Sequence, residues 1–67
     1  MDRAVQVRVN GELREVRAGT TLAELLGEPM PGSAAAVNSQ VVPGSQWGQY
    51  QLQEGDRVEF VRAVQGG

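Results

Sequence analysis

The run Val5-Gln6-Val7-Arg8-Val9-Asn10-Gly11-Glu12-Leu13-Arg14-Glu15-Val16 leaves the first quarter of this chain little choice of fold. Apolar and polar residues alternate from Val5 to Val9, the period of a strand with one buried face. Asn-Gly is the strongest short hairpin signal, because the favoured two-residue turn holds both central residues at positive φ. With Asn10 and Gly11 in the turn, Val9 faces Glu12 and Val5 faces Val16. Val5, Val7, Val9 and Val16 then share one side of a sheet and Leu13 lies on the other, an assignment that a bulge in the second strand would reverse.

A valine face needs a cover, and the next segment supplies one. Thr21 precedes Glu24 by three positions, the capping-box spacing in which each side chain satisfies a backbone donor of the other residue. Leu22, Leu25 and Leu26 follow on one helical stripe and read as ordinary core. Gly27, Pro29 and Pro31 stop the helix within about two turns. Ala34 to Val37 and Val41-Val42 read as two short strands around Asn38, Ser39 and Gln40. Pro43 cannot donate to a ladder, so its strand ends there or lies at an edge. A short irregular or helical turn from Gly44-Ser45 carries Trp47, with Tyr50 and Leu52 close behind. Trp47 and Tyr50 are expected to cover the open end of the core. Gly55-Asp56 marks another turn, in which Asp56 is a turn former and not an acid catalyst.

From Arg57 to Val64 the apolar residues fall on both alternating faces, as in an interior strand. A last strand placed beside the first, in the middle of the sheet, makes the architecture α+β: a mixed four- to five-stranded sheet with one main helix across one face. That outline is the β-grasp. The whole chain, 1-67, reads as one such domain with a flexible Gly-Gly tail over 65-67.

Composition narrows the function. The 67 residues contain neither cysteine nor histidine, so no disulfide or histidine-held metal staples this small domain, and regular packing must hold it. The same absence removes the usual nucleophiles and proton carriers near neutral pH, which argues against an independent enzyme. A net charge of −2, with Arg3, Arg8, Arg14 and Arg17 interrupted by Glu12 and Glu15, offers no basic stripe for nucleic acid. Glu54 and Glu59 read as solvated surface charge, with steering of an electropositive partner as the other reading. All six basic residues are arginine, so self-linked chains through lysine are excluded. The sequence has no apolar leader after Met1 and no run long enough to span a bilayer, and the cytoplasm is the default address.

The end of the chain carries the most suggestive chemistry. A patterned strand gives way after Gln65 to Gly66 and Gly67. Glycine lacks a Cβ, so this pair can thread a narrow channel and deliver the Gly67 carboxylate into another protein's active site. A carboxylate is a poor electrophile and needs activation; an acyl-adenylate made from ATP is the obvious route. A sulfur nucleophile displacing AMP would then leave a thiocarboxylate, a sulfur carrier that needs no cysteine of its own. A frayed, functionless terminus accounts for the same two residues. So do a protein modifier, joined through Gly67 to a target lysine, and a non-covalent binding module.

VNGELREV, TTLAELL, VNSQVVPGSQW and EGDRVEFVRAVQGG, in that order, resemble the segments of the ThiS family and cover most of the chain. The resemblance implies adenylation of Gly67 by a ThiF-type enzyme using ATP and magnesium, with no cofactor bound by the carrier itself. It implies a sulfur-donating enzyme and a ThiG-type thiazole synthase as further partners, sulfur passing to the thiazole of thiamin, and a carrier that is a monomer on its own. Gly67 is then the covalent attachment point and Gly66 the tail spacer, with Phe60 and Val64 near the surface that docks on the activating enzyme. The small subunits of molybdopterin synthase share the fold and the double glycine, but commonly have a proline before the tail that VRAVQGG lacks. Two departures from the family touch loops: a shorter stretch after the helix, and Asn38-Ser39 where Asn-Gly is frequent. A serine held left-handed costs about 1 to 2 kcal/mol, which allows a different turn type here.

Overall fold

The computed structural model describes residues 3–62. The expectations for Val64, for the 65–67 tail and for Gly66 and Gly67 lie outside the described residues. Five strands, β1 (Ala4–Val9), β2 (Glu12–Arg17), β3 (Ala34–Val37), β4 (Gln40–Val42) and β5 (Arg57–Val61), form one mixed sheet ordered β2-β1-β5-β3-β4. Helix α1 (Leu22–Leu26) packs on one face, and a 3-10 turn spans Gly44–Gln46.

The first hairpin folds in the register that its turn dictates, with Val5 opposite Val16 and Val9 opposite Glu12. Asn10 and Gly11 take φ 50° and 87°, the left-handed pair that this turn requires. No bulge intervenes, so Val7 is buried and Leu13 stands 57% exposed on the outer face. The second hairpin uses the same geometry, since Asn38 and Ser39 lie at φ 52° and 71°. The different turn type allowed for by the serine is therefore not adopted. Ser39 bears the left-handed strain, while the Asn38 side chain is anchored to the start of β5. Strand β4 ends one residue before Pro43 and is also an edge strand.

Helix α1 is short because its apolar stripe is short, and its start is well tied. The capping box forms: Glu24 N–H donates to Thr21 Oγ1 at 3.2 Å, and Thr21 N–H to Glu24 Oε1 at 2.9 Å. The next two orphan donors reach across to the 47–50 segment, Leu22 N–H to Tyr50 O at 2.8 Å and Ala23 N–H to Trp47 O at 3.0 Å. Gly27, at φ 87°, closes the helix by donating to Ala23 O. Leu22 is fully buried, and Leu25 and Leu26 pack at the margin of the core.

The core is Val7, Leu22, Ala35, Val37, Val42, Trp47, Leu52 and Val58. Trp47 sits deeper than a lid over one end. It is 1% exposed, and its indole N–H donates to Val42 O at 2.9 Å, so its polar edge is satisfied inside. Tyr50 stays half-buried beside it. Strand β5 lies at the centre of the sheet, parallel to β1 and antiparallel to β3. Only one of its faces is covered, however: Val58 is buried beneath α1 and Trp47, whereas Val61 on the opposite face is 64% exposed. No helix among the described residues is long and apolar enough to cross a membrane.

Candidate functional site

The described chain leaves the sheet at the end of β5, and this exit is where the candidate site is built. The β1–β5 ladder runs in parallel, Arg8 N–H donating to Asp56 O and Asn10 N–H to Val58 O, both at 2.9 Å. One step further, the backbone of Asn10 turns back into the hairpin. Its side chain takes over: Phe60 N–H donates to Asn10 Oδ1 at 2.9 Å, and Asn10 Nδ2 donates to Phe60 O at 3.2 Å. On its other side, β5 pairs Val61 with Ala34 and Phe60 with Ala35.

Phe60 lies on the α1 side of the sheet, half-buried. Its ring meets Trp47 edge-on, with centroids 5.9 Å apart and planes at 71°, and the Arg62 guanidinium sits 5.7 Å above it. The aromatic edge contact and the cation over the ring both hold the last described turn of chain against the core. Sequence reasoning missed the roles of Asn10 and Arg62 here, because both depend on partners that only folding brings together.

The opposite, open face presents a shallow groove beside the exit, lined by Ala34, Ala36, Val41, Val61, Arg57 and Glu59. Cross-strand register sets Val41 against Ala36, Ala36 against Glu59 and Ala34 against Val61. Val41 and Val61 are 75% and 64% exposed, so two branched aliphatic side chains stand in solvent on one face. Val61 is one of the residues that gave β5 its interior pattern, and Val41 stands beside it from β4. The structure leaves them uncovered.

The mixed sheet with its central last strand and single covering helix defines a ubiquitin-like β-grasp domain. The chain belongs to the ThiS family, whose sequence model matches residues 7–67. It is 35% identical over 66 residues to the sulfur carrier protein ThiS of Escherichia coli strain K12, spanning 94% of this chain and 100% of that protein. A crystal structure of the thiamine biosynthesis protein ThiS from Geobacter metallireducens superposes with a TM-score of 0.69 at 24% identity, covering 94% of this chain and all of that one, and shows the shared fold. Membership makes the chain a carrier protein and not a catalyst.

Proposed function

We propose that this chain carries sulfur on Gly67 for thiazole formation in thiamin biosynthesis. The observation that supports the reading most is the ThiS match, which covers residues 7–67 and so extends over Gly66 and Gly67. In the proposed chemistry the Gly67 carboxylate attacks the α-phosphorus of ATP, held with magnesium by a ThiF-type enzyme. Pyrophosphate leaves and a glycyl adenylate forms. A sulfide nucleophile delivered by the sulfur-donating enzyme then attacks the acyl carbon, AMP departs with the bonding electron pair, and loss of the S–H proton leaves a thiocarboxylate on Gly67. A ThiG-type thiazole synthase receives the sulfur.

Gly66 acts as the spacer without a Cβ that lets the tail enter those sites. Docking rests on the surface around the exit of β5, with Phe60 on the α1 side, exposed Val61 and Val41 on the open face, and Val64 as a further expected contact; an uncovered aliphatic patch of this kind marks an interaction surface. The chain is incubated with ATP, magnesium, a sulfur source and a ThiF-type enzyme, and its intact mass is recorded. The expected gain is about 16 Da, sulfur replacing oxygen, and it disappears when Gly67 is deleted. No gain, with the enzyme active on another carrier, rejects the reading. Conjugates of higher mass at target lysines would establish a protein modifier instead.

A further inference from the structure

The geometry points to Asn10 as the positioning residue for the outgoing tail, an inference that rests on the carrier reading above. Its backbone ends the parallel pairing of β1 with β5 at Val58. The next rung needs an acceptor for Phe60 N–H and a donor for Phe60 C=O, which a longer β1 would supply from its backbone. The carboxamide of Asn10 supplies both, at 2.9 and 3.2 Å. A primary amide is the neutral side-chain group that reproduces a peptide's donor and acceptor together. Aspartate offers acceptors alone and would face the Phe60 carbonyl with a second oxygen; glycine offers neither. Asparagine also tolerates the left-handed φ of 50° at this turn position. One residue therefore closes the hairpin and holds the strand end.

The consequence is leverage. Gly67 lies five residues beyond Arg62, and five extended residues reach at most about 17 Å, so a small change of direction at Phe60 becomes a large displacement at the carboxylate. With Phe60 pinned between Asn10 and β3, the volume that Gly67 searches after docking is restricted, and its effective concentration at the adenylating site rises. Both polar atoms of the amide are engaged by Phe60, and docking in the reading above rests on the aliphatic side chains. Loss of the clamp thus lowers turnover and leaves the carrier's KM nearly unchanged.

The test compares the wild-type chain with Asn10→Gly, which keeps the turn and removes the amide, and with Gly11→Ala, which strains the same turn at φ 87° and keeps the amide. Asn10→Gly should speed amide exchange at Phe60 about three- to fivefold relative to the core strands. With a ThiF-type enzyme it should cut pyrophosphate-release turnover by about three- to tenfold, KM staying within about twofold. Gly11→Ala should lower the melting temperature and leave turnover unchanged. Equal turnover in wild type and Asn10→Gly, or an equal fall in Gly11→Ala, overturns the positioning role. If the wild-type chain is not adenylated at all, the carrier reading fails by itself. Phe60 exchange then decides the clamp, and an unchanged rate in Asn10→Gly overturns it.

Discussion

The two hairpins of this domain make the same turn and use it on opposite ends of the same strand. Asn10-Gly11 and Asn38-Ser39 both put two consecutive residues at positive φ, and both leading asparagines turn their side chains onto β5. Asn10 holds its exit at Phe60. Asn38 holds its entry: Arg57 N–H donates to Asn38 Oδ1 at 3.0 Å, and Asn38 Nδ2 donates to Asp56 Oδ1 at 3.0 Å. The entry clamp is backed by Asp56, 7% exposed, whose other oxygen accepts from Gln53 N–H at 2.9 Å. The exit clamp ends in solvent. The same device is thus structural where a buried carboxylate completes it, and directional where the chain departs.

The largest expected effect separates the two ends. Asn38→Gly preserves the left-handed turn but takes a hydrogen bond from a buried carboxylate and one from Arg57 N–H, a loss of about 2 kcal/mol. Asn10→Gly removes two bonds that water can replace and should cost under about 1 kcal/mol. Urea unfolding of the two variants measures the difference. Equal losses would break the distinction between a structural and a directional clamp.

The second turn residue gives a smaller and opposite effect. Gly11 adopts φ 87° without strain, whereas Ser39 at φ 71° carries a Cβ in a region that penalises it. Ser39→Gly removes that penalty and adds unfolded-chain entropy, a net stabilisation of roughly 0.5 to 1 kcal/mol. The same unfolding experiment, run on this variant, should show a higher urea midpoint with an unchanged slope. Destabilisation would mean that the serine contributes something the turn geometry does not reveal.

Both hairpins, the capping box and the central place of the last strand were legible because each rests on a short-range rule: a dipeptide, a three-residue spacing, a period of two. The asparagine clamps were not, since Asn10 and Phe60 are fifty residues apart and the hairpin role alone explains an asparagine at the turn. Asp56 was legible as a turn former and does close its turn, but its bond to Asn38 joins two turns that look independent in sequence. Glu54, read as solvated charge, accepts Gln6 N–H at 2.9 Å and serves β1 from the loop before β5. Trp47 was placed correctly near the core but not at its centre, because depth depends on how α1 and β4 close over it. The aliphatic residues of β5 identified a central strand, yet the pattern cannot say whether the second face is covered by this chain or by another.

The smallest expected effect reads the charge that distinguishes the entry clamp. Tyr50 has its pKa raised above 10.0, first by burial and then by the negative charge of Asp56. It is the one tyrosine in the sequence, so phenolate absorbance reports it alone. Because the folded value lies above the unfolded one, this contribution to stability is fully present below about pH 10 and is lost as pH rises through the raised folded value. Asp56→Asn should move the titration part of the way down and no further, since burial is the larger cause and survives the substitution. Asn38→Gly and Asn10→Gly keep the carboxylate and should leave the midpoint in place. A midpoint that follows Asn38→Gly as far as Asp56→Asn would show that the clamp holds Asp56 in position toward the phenol, and that the entry end of β5, unlike the exit, depends on its asparagine for electrostatics as well as for hydrogen bonding.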